Sequence, residues 1–150
     1  MRSKAFVLRT DGAARGNPGP AGAGAVLEDA EGHVLVELSA FVGARTNNQA
    51  EYEALLLGLG ALLERESDSA GRCRVTAFLD SELVVRQLEG RYRVKDPALR
   101  ELFDATRRLA TRLGGFGVRH VPREENRRAD ELANLAIDRE LAAPDPTPAG

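Results

Sequence analysis

The chain has 150 residues, of which 43% are hydrophobic and 29% charged, with a formal net charge of −2 at pH 7. That suits one globular domain with a fair-sized core; no apolar run approaches the ~18 residues of a membrane span, and the overall charge is not that of a strongly basic, non-specific nucleic-acid binder. The lone Cys73 cannot form an internal disulfide, and MRSKAFVLRTDG enters strand-like sequence without a signal-peptide core, so a reducing cytoplasm is expected.

In chain order, residues 4–10 (KAFVLRT) read as a first strand, mostly apolar and therefore central. Gly-Asn-Pro-Gly-Pro at 16–20 is turn chemistry. Residues 22–28 (GAGAVLE) form a second strand whose glycines indicate close backbone approach. Glu31-Gly32 marks a hairpin, and 33–41 (HVLVELSAF) alternate as a half-buried third strand. The period then changes. Ala50, Ala54, Leu55, Leu59, Leu62 and Leu63 predict an amphipathic helix over 48–65. A loop (66–71), a fourth strand (73–79) and a short helix (81–89) follow. Asp96-Pro97 is an N-cap with proline at the first helical position, opening a helix to about Leu113 that Gly114-Gly115 ends. Residues 116–121 (FGVRHV) make a fifth strand, and a last helix runs from near Asn126 to about Leu141. The predicted fold is α/β: a mixed five-stranded sheet, an antiparallel β1-β2-β3 meander followed by β4 and β5, flanked by helices. Residues 1–141 are expected to be the domain, and 142–150 a Pro-rich disordered tail or a linker.

Four segments each set an acid near an element boundary: TDGAARGNPGPAG with Asp11, TNNQAEYEAL with Glu51, FLDSELVVRQL with Asp80 and HVPREENRRADELAN with Asp130. Each also has a plainer reading. Asp11-Gly12 reads as a hairpin turn, Asn48 with Glu51 as a capping-box-like pair, and Asp80 as a helix cap. Asp130, about one turn inside a helix where aspartate has poor propensity, reads equally well either way. Jointly they say more. Neighbouring first and fourth strands would bring Asp11 and Asp80 side by side, with Glu51 and Asp130 over that edge. Such a cluster is costly without a cation, and hard oxygen ligands suit Mg2+. A nucleic-acid phosphodiesterase is the resulting expectation. Arg86, Arg91, Arg93 and Lys95, then Arg107, Arg108 and Arg112, read either as solvated faces or as weak, salt-sensitive phosphate contacts.

DGAARGNPGPAG, TNNQAEYEAL, DSELVVRQL and NRRADELAN, in this order and spacing, resemble type 1 ribonuclease H over about residues 4–140. The resemblance implies endonucleolytic hydrolysis of the RNA strand of an RNA/DNA hybrid, leaving 5'-phosphate and 3'-hydroxyl ends. It makes Asp11, Glu51, Asp80 and Asp130 the catalytic, metal-binding carboxylates. Asp11 and Asp80 are assigned to one ion, Asp11 and Asp130 to a second, with Glu51 near the first. Two Mg2+ are implied, with Mn2+ as substitute. Asn17, Asn47 and Asn48 look like minor-groove contacts, Thr46 like a DNA-phosphate contact, and Glu82 like a contact on the RNA side. Gly12, Ser81 and Asn126 complete the candidate substrate-binding set.

Departures from the pattern concern the loop before the last helix and the stretch after the fourth strand. His120 lies ten residues before Asp130 but within strand-like VRHV, so it reads as a structural or a catalytic histidine. Arg123 is a candidate phosphate-neutralising or product-release group. RYRVKDPAL is short and lacks Trp, which resembles the compact subgroup without a basic protrusion and implies weaker substrate affinity unless another domain adds grip. A monomer is expected, with a fused or associated domain beyond the tail as an open possibility. The competing functions are a DNA nuclease of the same broad fold (resolvase- or transposase-like) and a hybrid-binding module.

Overall fold

The computed structural model describes residues 3–143, in the order β1 (Lys4–Ala14), β2 (Gly19–Asp29), β3 (Val34–Arg45), α1 (Asn47–Arg65), β4 (Cys73–Leu79), α2 (Glu82–Leu88), α3 (Pro97–Ala110), β5 (Gly115–His120) and α4 (Arg127–Ala142). Short 3-10 turns stand at 70–72 and 123–125. The strands form one five-stranded sheet ordered β3-β2-β1-β4-β5. β1 pairs antiparallel with β2, and β2 with β3, whereas β1 pairs parallel with β4, and β4 with β5. The mixed sheet and the antiparallel meander agree with the sequence reading. From residue 144 onward the expected tail lies outside the described residues.

β1 is longer than its apolar run suggests. Asp11 sits inside the ladder opposite Gly24, and pairing continues to Ala14–Ala21. The Asp-Gly hairpin turn is therefore not formed; the chain reverses later, at 15–20, where the Arg15 N–H donates to the Pro20 carbonyl at 2.9 Å. Small residues in β2 explain the length of the pairing and what covers it. A Cβ at Gly22 would lie 2.0 Å from the Ala133 carbonyl oxygen, and one at Gly24 2.1 Å from that of Ala129. α4 thus rides directly on the β2 backbone, as the strand glycines indicated.

The opposite face is covered by α1, with α2 and α3 beside it. Leu8, Leu27, Leu55, Leu59, Leu62, Val75, Leu79 and Val84 form the core there with Tyr52. The Tyr52 hydroxyl donates to Gln87 Oε1 at 2.8 Å, so its polar tip is satisfied inside the apolar layer. Cys73 is buried as a free thiol. α1 is capped by Thr46 and Gln49, each side chain bonding the other's backbone N–H, and not by Asn48 and Glu51. α3 opens as expected, with Asp96 accepting from the Leu99 N–H at 2.9 Å, but ends at Ala110 rather than Leu113. No helix of the described residues is long and apolar enough to cross a membrane.

Candidate active site

β1 and β4 run side by side as far as the Arg9–Phe78 pair. Asp11 follows two residues on, and Asp80 directly follows Leu79 at the end of β4. Asp80 thus stands at the carboxyl end of β4 and Asp11 just past the parallel β1–β4 pairing, at the point where the strand order switches from β2 on one side of β1 to β4 on the other. Such switch points open a crevice. Glu51 comes from the second turn of α1, which presses on β1 because residue 12 has no side chain: a Cβ at Gly12 would stand 2.1 Å from the Ala50 carbonyl carbon. The Gly12 N–H donates to Glu51 Oε1 at 3.2 Å. Oxygens of Asp11, Glu51 and Asp80 lie within 4.8 Å of one another. Asp130, in the first turn of α4, lines the same cavity of about 480 Å³.

This crowding changes the acids. Burial raises the Asp11 carboxyl to about 11, helped by the charge of Glu51, hydrogen bonding with Glu51 and the charge of Asp80. Burial likewise pushes Glu51 up to about 7; a hydrogen bond from Asp11 opposes the shift, and the charge of Asp80 adds to it. Asp80 is raised by burial too, against the pull of an Asp11 hydrogen bond and the positive charge of Arg123. Burial and mutual repulsion thus favour the protonated carboxyls of this cluster when no cation is bound. Glu51 Oε2 is buried with no hydrogen-bond partner. A set of hard carboxylate oxygens with one of them unpaired suits Mg2+ or Mn2+.

The other expected residues fall into three groups. Gly12, Asn47, Asn48, Ser81 and Arg123 line the acidic cavity. Thr46 and Asn17 border a groove of about 560 Å³ that also borders on Asn47 and Asn48. There Asn17 Oδ1 accepts from the Asn47 N–H at 2.9 Å, and Asn47 Oδ1 accepts from the Ala14 N–H at 3.2 Å, so the β1–β2 turn is stitched to the start of α1. Ser81 caps α2 through the Val84 N–H, leaving Asp80 free of capping. Glu82 lies away from the cavity and pairs with Arg86 at 2.7 Å. His120 is exposed at the end of β5 opposite Leu79, as the strand pattern implied.

Asn126 departs most from expectation. It is 1% exposed, and its amide donates to the Thr10 carbonyl at 2.7 Å, so it has no surface to offer a substrate. Two polar residues that line the cavity, Asn134 and Arg15, lie outside the sequence-derived set. Asn134 donates to Asp130 Oδ1 at 3.2 Å and to the Asp130 carbonyl at 3.0 Å. Arg15 donates to Asn134 Oδ1 at 3.3 Å and pairs with Asp138 at 2.6 Å. The helical i,i+4 spacing after Asp130 was the available signal for Asn134. Arg15 has none, since only the closure of the hairpin onto α4 brings it there.

This sheet order, with acids converging at its split, defines a ribonuclease H-like fold. A family model described as Reverse transcriptase-like matches residues 9–136. The ribonuclease H of Desulforamulus reducens is 35% identical, aligned over 89% of this chain and 87% of its own. Ribonuclease HI of Halobacterium salinarum is 43% identical over 85% of this chain. A crystal structure of LC11-RNase H1, from a compost metagenome, in complex with RNA/DNA hybrid superposes with a TM-score of 0.87 at 45% identity, covering 91% of this chain and 99% of that one. The chain belongs to the type 1 ribonuclease H family. It spans 39% of the length of its mycobacterial relatives, one of them described as a bifunctional protein of Mycobacterium tuberculosis, and 62% of the haloarchaeal one.

Proposed function

We propose that the protein is a divalent-metal-dependent endoribonuclease that hydrolyses the RNA strand of RNA/DNA hybrids, leaving 5'-phosphate and 3'-hydroxyl ends. The observation that carries this reading is the meeting of Asp11, Glu51 and Asp80 within 4.8 Å, with Asp130 lining the same cavity. Its support is the likeness to a ribonuclease H1 solved with a hybrid.

Asp11, Glu51, Asp80 and Asp130 would hold a pair of Mg2+ or Mn2+ ions. Bound there, the ions supply Lewis-acid polarisation of the phosphoryl oxygens and a more acidic water. The residues themselves do the rest. The Gly12 N–H holds the Glu51 carboxylate, and the β1–β2 ladder sets where Asp11 stands on the sheet, before substrate arrives. Arg123, beside Asp80 and Asp130 on the rim, offers a positive charge to a phosphate. Asn17, Asn47 and Asn48 offer amides along the adjoining groove, where a 2'-hydroxyl would tell RNA from DNA.

The test is cleavage of a duplex with separately labelled RNA and DNA strands, with Mg2+, with Mn2+ and with EDTA, beside all-RNA and all-DNA duplexes. Metal-dependent loss of only the hybrid's RNA strand, abolished by Asp80→Asn, is expected. Cleavage of the all-DNA duplex would instead mark a resolvase-like nuclease, and binding of hybrid without cleavage a binding module.

A further inference from the structure

We propose that Asn126 is a positioning residue that sets where Asp130 stands relative to Asp11; the inference rests on the nuclease reading above. Three observations carry it. First, Asn126 bonds the backbone on both sides of the acidic cluster. Its side-chain amide donates to the carbonyl of Thr10, the residue before Asp11, at 2.7 Å. Its own carbonyl accepts from the Asp130 N–H at 3.2 Å. One side chain thus ties the end of the β1–β4 ladder, one residue past the Arg9–Phe78 pair, to the first turn of α4.

Second, asparagine is among the best helix N-caps, and Asn126 occupies the N-cap of α4 without making a side-chain cap bond. The amide is committed to the sheet instead. Its Oδ1 is buried with no partner. An unsatisfied buried acceptor is unfavourable, so helix stability alone does not account for this residue.

Third, α4 meets β2 through small groups, with the Ala129 and Ala133 carbonyls lying over Gly24 and Gly22. Leu132 and Ile137 are buried in the same seam, and α4 is further tied to β3 by Arg128 to Glu37 and by the Ser39 hydroxyl to the Leu132 carbonyl. The Asn126–Thr10 bond is the tie that runs to β1, directly beside Asp11. Asp130 is one turn further on, so a slip of α4 would carry its carboxylate away from Asp11.

The test compares Asn126→Ala with Asn126→Ser, which restores a capping side chain and keeps α4 started while still removing the Thr10 bond. Manganese chloride titrated calorimetrically into substrate-free protein reads the site without turnover. Steady-state cleavage of a hybrid against magnesium concentration separates kcat from KM. Both variants are expected to lose roughly 10- to 100-fold in Mn2+ affinity, as when a residue supporting a metal ligand is removed. They should also lose kcat, with the hybrid KM within about twofold of wild type. Asn126→Gln, which retains the amide donor, should recover part of the loss. A raised KM with Mn2+ affinity intact would make Asn126 a substrate contact and overturn the proposal. So would a lowered Tm with Mn2+ affinity and kcat intact, which is the mark of a purely structural bond. If wild-type protein neither binds Mn2+ nor cleaves hybrid, the nuclease reading fails first, and the variants are not needed to show it.

Discussion

Asp11 is the residue on which the site's electrostatics turn. Its carboxyl is raised by burial and by Glu51, and Glu51 is itself raised from 4.5 to about 7. Acids whose folded pKa is raised stabilise the fold fully below their unfolded values, and that contribution is lost as pH climbs through the folded ones. In the metal-free protein the Asp11 contribution should therefore fall from about pH 4 upward and that of Glu51 between about pH 4.5 and 7, because over those ranges the unfolded acids ionise while the folded ones keep their protons. Asp11→Asn removes the conflict. Its expected signature is abolished cleavage together with a higher Tm in EDTA at pH 8, by at least the ~2–4 °C that 1 kcal/mol produces in a domain this size, and little gain at pH 4. Differential scanning calorimetry at the two pH values decides it. Asn134, which holds Asp130 Oδ1 at 3.2 Å, makes a milder case. Asn134→Ala should lower kcat roughly tenfold and leave the hybrid KM unchanged in steady-state kinetics.

At the level of elements, close approach of α1 to β1 depends on a missing side chain. Gly12→Ala would drive a Cβ into the Ala50 carbonyl carbon at 2.1 Å and the Glu51 nitrogen at 2.4 Å. These are helix backbone atoms that cannot rotate away. A loss of at least about 1–3 kcal/mol is expected from such overpacking, read by urea denaturation, with cleavage falling further because Glu51 moves with the helix. The elements were readable where one local signal dominated. Alternating Val34, Val36 and Leu38 announced β3, Asp96-Pro97 announced α3, and the change of period announced α1. They were misread where a tertiary partner outvoted a local motif. Asp11-Gly12 is a good turn pair in isolation, but β2 offers glycine and alanine all the way to Ala21, so the ladder runs on. Asn48 and Glu51 have capping spacing, but Thr46 and Gln49 have it too and win the helix start, freeing Glu51 for the cavity. Asn126 stood in the substrate-binding set beside the residues of the family resemblance, and nothing local says that the Thr10 carbonyl needs it.

For the molecule as a whole, stability and metal occupancy should be one linked quantity. A ligand bound only by the folded state stabilises by about 2.7 kcal/mol at 100 times its dissociation constant. Mn2+ at that excess should raise Tm by roughly 5–10 °C at pH 8. The gain should be smaller at pH 5, because there the ions must displace protons from Asp11 and Glu51. A thermal shift equal at both pH values, or unchanged in Asp80→Asn, would count against the carboxylates as the binding groups.

The placement of the acids along the chain has a consequence for synthesis. Asp11 and Asp130 stand at opposite ends of the domain in sequence, and the last strand and helix must dock before the fourth carboxylate reaches the cavity. A nascent chain carrying only the hairpin, α1 and β4 holds three acids with no bracing from α4. The four-acid cavity is thus complete only once α4, the element made last among those that line it, has docked on the sheet.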